Sequence, residues 1–146
     1  MNSLQIDSFL SKNRFTKRYY KGVYGSDNIK NFHSYPYAIV VNTQKINQPG
    51  EHWIGMYVKN DNHLEYFDSF GDPPNNDIEK FTKNFKNFKQ NKIKLQSDFD
   101  NSCGSHVIYF LINRCRGKPF DSIISSLRNP YSDASVKLFV YNLLKR

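Results

Sequence analysis

Gln96-Ser97-Asp98-Phe99-Asp100-Asn101-Ser102-Cys103-Gly104-Ser105-His106 is a polar run that ends abruptly in Cys-Gly, and Val107-Ile108-Tyr109-Phe110-Leu111-Ile112 follows at once. The apolar density after Cys103 predicts a buried helix reaching about Cys115, with Gly117 as its natural stop. A cysteine then sits in the first helical turn, where backbone N–H groups lack intrahelical partners and the helix dipole favours an anion. Such a setting lowers a thiol pKa and makes the sulfur a nucleophile. Taken alone, the same stretch also fits a small buried structural cysteine.

Working outward, the segments before this helix read as sheet. Tyr37-Ala-Ile-Val-Val-Asn-Thr43 is a β-branched run between Pro36 and a polar loop, and predicts a buried strand. After Pro49-Gly50, His52-Trp-Ile-Gly-Met-Tyr-Val58 predicts a second strand. Asn60-Asp-Asn62 is turn chemistry, and His63-Leu-Glu-Tyr-Phe-Asp68 returns as its hairpin partner. Ser3 to Lys12 predicts a short helix capped by Ser3. Lys12, Arg14, Lys17, Arg18 and Lys21 then form a basic, aromatic-laced connector. Asp77 to Gln90 carries Ile78, Phe81, Phe85 and Phe88 at helical spacing, and Lys92-Ile-Lys-Leu-Gln96 alternates as an edge strand would. Pro119 to Leu127 predicts a short helix with Pro at its first position, and Ser132 a cap for a last helix bearing Val136, Phe139, Val140, Leu143 and Leu144. Hairpin strands beside clustered helices argue for α+β: a mixed or antiparallel sheet packed against helices, in one domain spanning residues 1–146.

Composition narrows the function classes. The 146 residues include 12 Phe and 10 Tyr, ample material for a core. Mean hydropathy of -0.69 and the lack of a long apolar run argue against a membrane span. The amino terminus lacks a basic-then-apolar leader, so an intracellular, reducing setting is the default expectation. The two cysteines, Cys103 and Cys115, are unsuited to pairing: on one helix they stand roughly 18 Å apart at about 1.5 Å per residue. No Cys-x-x-Cys pair exists and the four His are scattered, so no metal is expected. The net charge of +8 makes a polyanion a candidate partner.

A cysteine nucleophile needs a base, a group to orient that base, and donors for the developing oxyanion. His52 opens one hairpin strand and Asp68 closes the other, so a turn near Asn60–Asn62 brings them to the same end. An Asp bonded to one imidazole nitrogen fixes the tautomer and leaves the other nitrogen for the thiol. Gln96, seven residues before Cys103, has a neutral amide able to donate to an oxyanion, with the Cys103 backbone N–H as the second donor. His106 lies one helical turn from Cys103 but would not be oriented by the hairpin Asp, which fits a core or supporting histidine better than the base.

Gly50-Glu-His52-Trp53, then Phe67-Asp68-Ser-Phe-Gly71, then Gln96 seven positions ahead of Cys103-Gly104, resemble the adenovirus-type maturation cysteine proteases, whose relatives occur in virophages and virus-like DNA transposons. Lys21-Gly-Val-Tyr-Gly-Ser-Asp27 and Ile39-Val-Val-Asn-Thr43 are similar to the amino-terminal half of that family. The resemblance runs from about Tyr20 to Gly117. It implies His52 as general base, Asp68 as its orienting acid, Gln96 as oxyanion donor and Cys103 as nucleophile at the head of a central helix. Trp53 would pack at the site without reacting.

The resemblance further implies an endopeptidase that processes capsid or core precursor proteins during virion maturation, cleaving next to Gly. It would act as a monomer, without membrane contact, in the virion and the host cytoplasm or nucleus. No cofactor is required, although the adenoviral enzymes are activated by DNA, and Lys80–Lys94 or the Lys12–Lys21 connector are candidate contacts. Those enzymes also take a disulfide-linked peptide on an upstream cysteine, for which this chain has no counterpart before Cys103. Two alternatives stand beside this reading. SUMO- and ubiquitin-like-protein proteases share the His, Asp, Gln, Cys order and cleave after Gly, and a basic nucleic-acid-binding module would need no reactive thiol.

Overall fold

Period-two alternation along three strands divides the apolar residues between two cores on opposite faces of one sheet. The computed structural model describes residues 1–48, 52–98 and 100–145. Strands β1 (Tyr20–Tyr24), β2 (Tyr37–Asn42), β3 (Trp53–Asn60), β4 (His63–Phe67) and β5 (Asn87–Gln90) form a mixed sheet in the order β1-β2-β3-β4-β5. The inner pairs β2–β3 and β3–β4 are antiparallel, and the outer pairs β1–β2 and β4–β5 are parallel. All six residues of β2 are buried. Ala38 and Val40 face one core, while Tyr37, Ile39 and Val41 face the other, as alternation along a strand requires.

The first face is covered by α1 (Ser3–Lys12), α3 (Cys103–Cys115), α4 (Phe120–Ser126) and α5 (Ser132–Leu144). The second is covered by α2 (Asn76–Thr82), through Ile78 and Phe81, together with Phe85 beyond its end. α3 is the central helix. Val107, Ile108, Phe110 and Leu111 are fully buried, each contributing about 1.5–3 kcal/mol of apolar transfer as an upper bound. The helix lies close over β3 at Gly55, where a Cβ would sit 3.2 Å from Val107 Cγ1. Phe67 of β4 stacks on Phe110 at 4.7 Å. At its far end, Arg114 grips Glu65 of β4 with two bonds, Nε–Oε1 at 2.7 Å and Nη2–Oε2 at 3.1 Å. These contacts fix where the helix begins, and therefore where Cys103 stands.

The expected α+β class, central helix and hairpin are present, and several local expectations are corrected. Asp77–Gln90 is not one helix: α2 ends at Thr82, and Asn87–Gln90 forms β5, pairing in parallel with β4 from His63↔Asn87 to Tyr66↔Gln90. Asn84, Phe85, Asn87 and Phe88 support helix weakly, and strand pairing at the open edge of β4 outweighs it. Lys92–Gln96 is correspondingly irregular rather than an edge strand. The expected connector ends in a strand: Tyr20–Tyr24, which begins within it, is the parallel edge strand β1. Asn2, not Ser3, caps α1, in a reciprocal capping box with Gln5. Pro119 is the N-cap of α4 rather than its first residue. Tyr131 is the N-cap of α5, and the Ser132 hydroxyl instead donates to Leu95 O at 2.6 Å. The turn expected at Pro49-Gly50, Glu51 of the quoted motif, and Phe99 lie outside the described residues.

Candidate active site

The β3–β4 register sets the first half of the site. Gly55 pairs with Phe67, so the residues just before β3 and just after β4 share one end of the hairpin. There His52 Nε2 lies 2.7 Å from Asp68 Oδ1, with the two side chains only 12% and 4% exposed. Asp68 Oδ1 also accepts the Phe70 N–H at 2.8 Å. Asn91 brackets the backbone of the same residue: its Oδ1 accepts Asp68 N–H at 3.0 Å, and its Nδ2 donates to Asp68 O at 2.5 Å. Phe70 stacks on the imidazole at 4.7 Å. The ring is thus held in plane by an aromatic face and in rotation by a carboxylate.

Bonding Nε2 to Asp68 leaves Nδ1 as the imidazole's other hydrogen-bonding nitrogen, and Cys103 is hydrogen-bonded to this ring. Burial opposes charge on both groups. For His52, the bonds to Asp68 and Cys103 outweigh burial and raise its pKa to about 9. For Cys103, the His52 bond and the backbone N–H groups of Trp53 and Gly104 outweigh burial and hold the thiol below its ordinary value. The two shifts have one physical cause: charge on each group favours charge on the other, a thiolate with an imidazolium. Ser102, the N-cap of α3, makes no side-chain capping bond. Its hydroxyl is turned to His106 Nδ1 at 3.1 Å and Asp133 Oδ1 at 3.2 Å. The N–H groups of the first turn are therefore not satisfied by that side chain.

Gln96 is 2% exposed and joins His52, Asp68 and Cys103 in the wall of one cleft of about 570 Å3. Its amide orientation is fixed from both ends. Ser69 Oγ donates to Gln96 Oε1 at 2.5 Å, and Gln96 Nε2 donates to Asp100 O at 2.6 Å. Ser69 O additionally accepts the backbone N–H groups of Leu95 and Gln96. An amide nitrogen carries two hydrogens, and Asp100 takes one, leaving the second for a ligand.

All four residues singled out from the sequence, His52, Asp68, Gln96 and Cys103, line this cleft. His106 is elsewhere: it is fully buried, with Nδ1 3.0 Å from Ser102 O, and burial pushes its pKa down. Cys115 is a free thiol that burial pushes up to about 12. Trp53 donates its indole N–H to Met1 O at 3.2 Å. Ser69 and Phe70 stood inside a quoted motif but had no assigned role. Asn91 carried no sequence signal at all, because its partner is 23 residues away. Among the described residues, no group of three or more His, Cys, Asp or Glu is placed to hold a metal ion.

No protein-family model matches the chain. Over 101 residues it is 37% identical to a protein of Acanthamoeba polyphaga mimivirus named "Putative thiol protease R355", covering 61% of this chain and 33% of that one. Among solved structures, the ASFV pS273R protease aligns with a TM-score of 0.50 and 19% identity, over 66% of this chain and 39% of that one. The selenomethionine structure of the same protease aligns with a TM-score of 0.46 and 20% identity. The first structural match shows a shared fold, and neither similar protein is adenoviral. The chain spans about a third of the mimivirus protein and about two fifths of the ASFV protease.

Proposed function

We propose that this chain is a viral cysteine endopeptidase of the broad clan that includes the adenain-like and SUMO proteases. The observation that carries the proposal is the buried relay of Asp68, His52 and Cys103 opening on the cleft that Gln96 also lines. Similarity to the mimivirus protein supports the same reading.

The chemistry follows from the geometry. The Cys103 thiolate attacks a peptide carbonyl carbon, and the carbonyl π pair moves onto oxygen. That oxyanion is received by the free Gln96 Nε2–H and the Cys103 backbone N–H. Collapse expels the amine, which takes its proton from the His52 imidazolium and leaves an S-acyl enzyme. Neutral His52 then takes a proton from water as the hydroxide attacks the thioester. The second collapse releases the carboxylic acid and restores the thiolate beside the imidazolium. Asp68 holds the ring and its charge throughout without itself transferring a proton.

The proposed substrates are capsid or core precursor polypeptides cut next to Gly during virion maturation, with the enzyme monomeric in the virion and in host cytoplasm or nucleus. The support is the motif resemblance. A SUMO- or ubiquitin-like protein is the second reading, equally compatible with the site. DNA is proposed as an activator with no other cofactor required. Support comes from Arg14 and Arg116, whose guanidiniums lie 4.5 and 5.0 Å from the centre of one ring, Phe15, in the basic stretch after α1. The deciding experiment incubates the protein with a co-encoded capsid precursor and, separately, with a SUMO-linked protein, with and without DNA over a salt series. Capsid cleavage lost in Cys103→Ala supports the leading reading. Cleavage of the SUMO conjugate alone selects the second, and no cleavage of either overturns both. DNA affinity that falls with salt while turnover is unchanged would mean binding without activation.

A further inference from the structure

The oxyanion segment between Gln96 and Cys103 is held from behind by a helix that does not reach the cleft. Three contacts from α5 converge on it, and a fourth holds Leu95 just before it. Ser132 Oγ donates to Leu95 O at 2.6 Å, and Asp133 Oδ2 accepts the Ser97 N–H at 3.2 Å. Asp133 Oδ1 accepts the Ser102 hydroxyl at 3.2 Å, and Lys137 Nζ donates to Asp100 Oδ2 at 2.8 Å. Asp100 is the pivot. Its Oδ1 accepts the Ser102 N–H at 2.8 Å, and its main-chain carbonyl accepts the Gln96 amide at 2.6 Å. Lys137 therefore holds the carboxylate of the residue whose carbonyl aims Gln96. His106 packs beneath the same corner, with Nε2 3.5 Å from Asp133 Oδ1.

We propose that Asp133, through Ser97 and Ser102, and Lys137, through Asp100, are positioning residues for the oxyanion donor: they set the direction of the Gln96 amide without touching substrate. This inference rests on the thiol-protease reading and adds to it a dependence on α5. A partly exposed Lys–Asp pair stabilises a fold little in itself. Its consequence here is geometric, because a donor displaced by a fraction of an ångström no longer meets the developing charge.

The test separates oxyanion geometry from the nucleophile. Iodoacetamide alkylation of Cys103 develops no oxyanion, whereas acylation by p-nitrophenyl acetate does. Both rates are measured on the full chain for wild type, Lys137→Met, Lys137→Arg and Asp133→Asn. In Lys137→Met and Asp133→Asn the acylation rate is expected to fall about tenfold while the alkylation rate is unchanged. Lys137→Arg, which keeps a cation over Asp100, is expected to restore acylation. Acylation at the wild-type rate in Lys137→Met, or a parallel fall in both rates, overturns the inference and leaves the protease reading in place. A wild-type protein that neither acylates nor alkylates selectively at Cys103 overturns that reading itself, and the inference with it.

Discussion

His52 Nε2 and Asp68 Oδ1 are 2.7 Å apart, at the matching end of two strands, although sixteen positions separate them in the chain. Burial opposes the charged imidazole, and the bond to this carboxylate is the largest of the contributions that together outweigh it. Asp68→Asn keeps an acceptor and removes the charge. The expected result is a loss of about 10²–10⁴-fold in kcat/KM, with the His52 pKa falling from about 9. Steady-state kinetics and an NMR titration of His52 check the two halves.

The two thiols should differ sharply. Cys103 is held below the ordinary thiol pKa and Cys115 is pushed up to about 12. Iodoacetamide is expected to label Cys103 well below pH 8 and leave Cys115 essentially unmodified, as read by mass spectrometry of the digest. Equal, slow labelling of both would sink the thiolate assignment.

The pH profile of turnover follows from the same pair. Because the Cys103 pKa is lowered, its thiolate is already present below the usual thiol range, which sets the acid limb. Because the His52 pKa is raised, the imidazolium that must protonate the leaving amine persists until about pH 9 and is lost above it. Activity is therefore expected to be bell-shaped, with its alkaline limb near 9, and the two apparent values belong to the coupled pair. In Cys103→Ala, the His52 titration moves downward, because one of the groups that raises it is gone.

Gln96→Ala removes the side-chain oxyanion donor and spares the thiolate. A loss of about 10²–10³-fold in kcat is expected, with iodoacetamide reactivity at Cys103 unchanged. Comparing peptide hydrolysis with alkylation on the same preparation distinguishes this from unfolding.

Gly71 follows Asp68 by three residues and adopts φ +74, where a Cβ would lie 2.9 Å from the carbonyl carbon and oxygen of Ile93. Gly71→Ala is expected to cost about 1–3 kcal/mol, from backbone strain and the clash with main chain. Gly117, at φ +97 with open space around it, supplies the contrast: Gly117→Ala should cost only the conformational part. Urea denaturation of both variants measures the difference.

The sequence by itself determined the parts of this protein whose causes are local. Helix α3 follows from the apolar run after Cys103, and the β3–β4 hairpin from alternation around Asn60–Asn62. The hairpin then places His52 near Asp68, because strand register carries one end to the other. What lay beyond the sequence was decided by long-range competition. Helical spacing in Asp77–Gln90 gave way to pairing with β4, since an unpaired sheet edge offers more than weak helix formers can. Ser132 exchanged a capping role for a bond to Leu95. Asn91 behind Asp68, Ser69 behind Gln96, and α5 behind Asp100 leave no trace in spacing. Each is a single polar contact between distant segments, and only the packed sheet and helices bring those segments within hydrogen-bond reach.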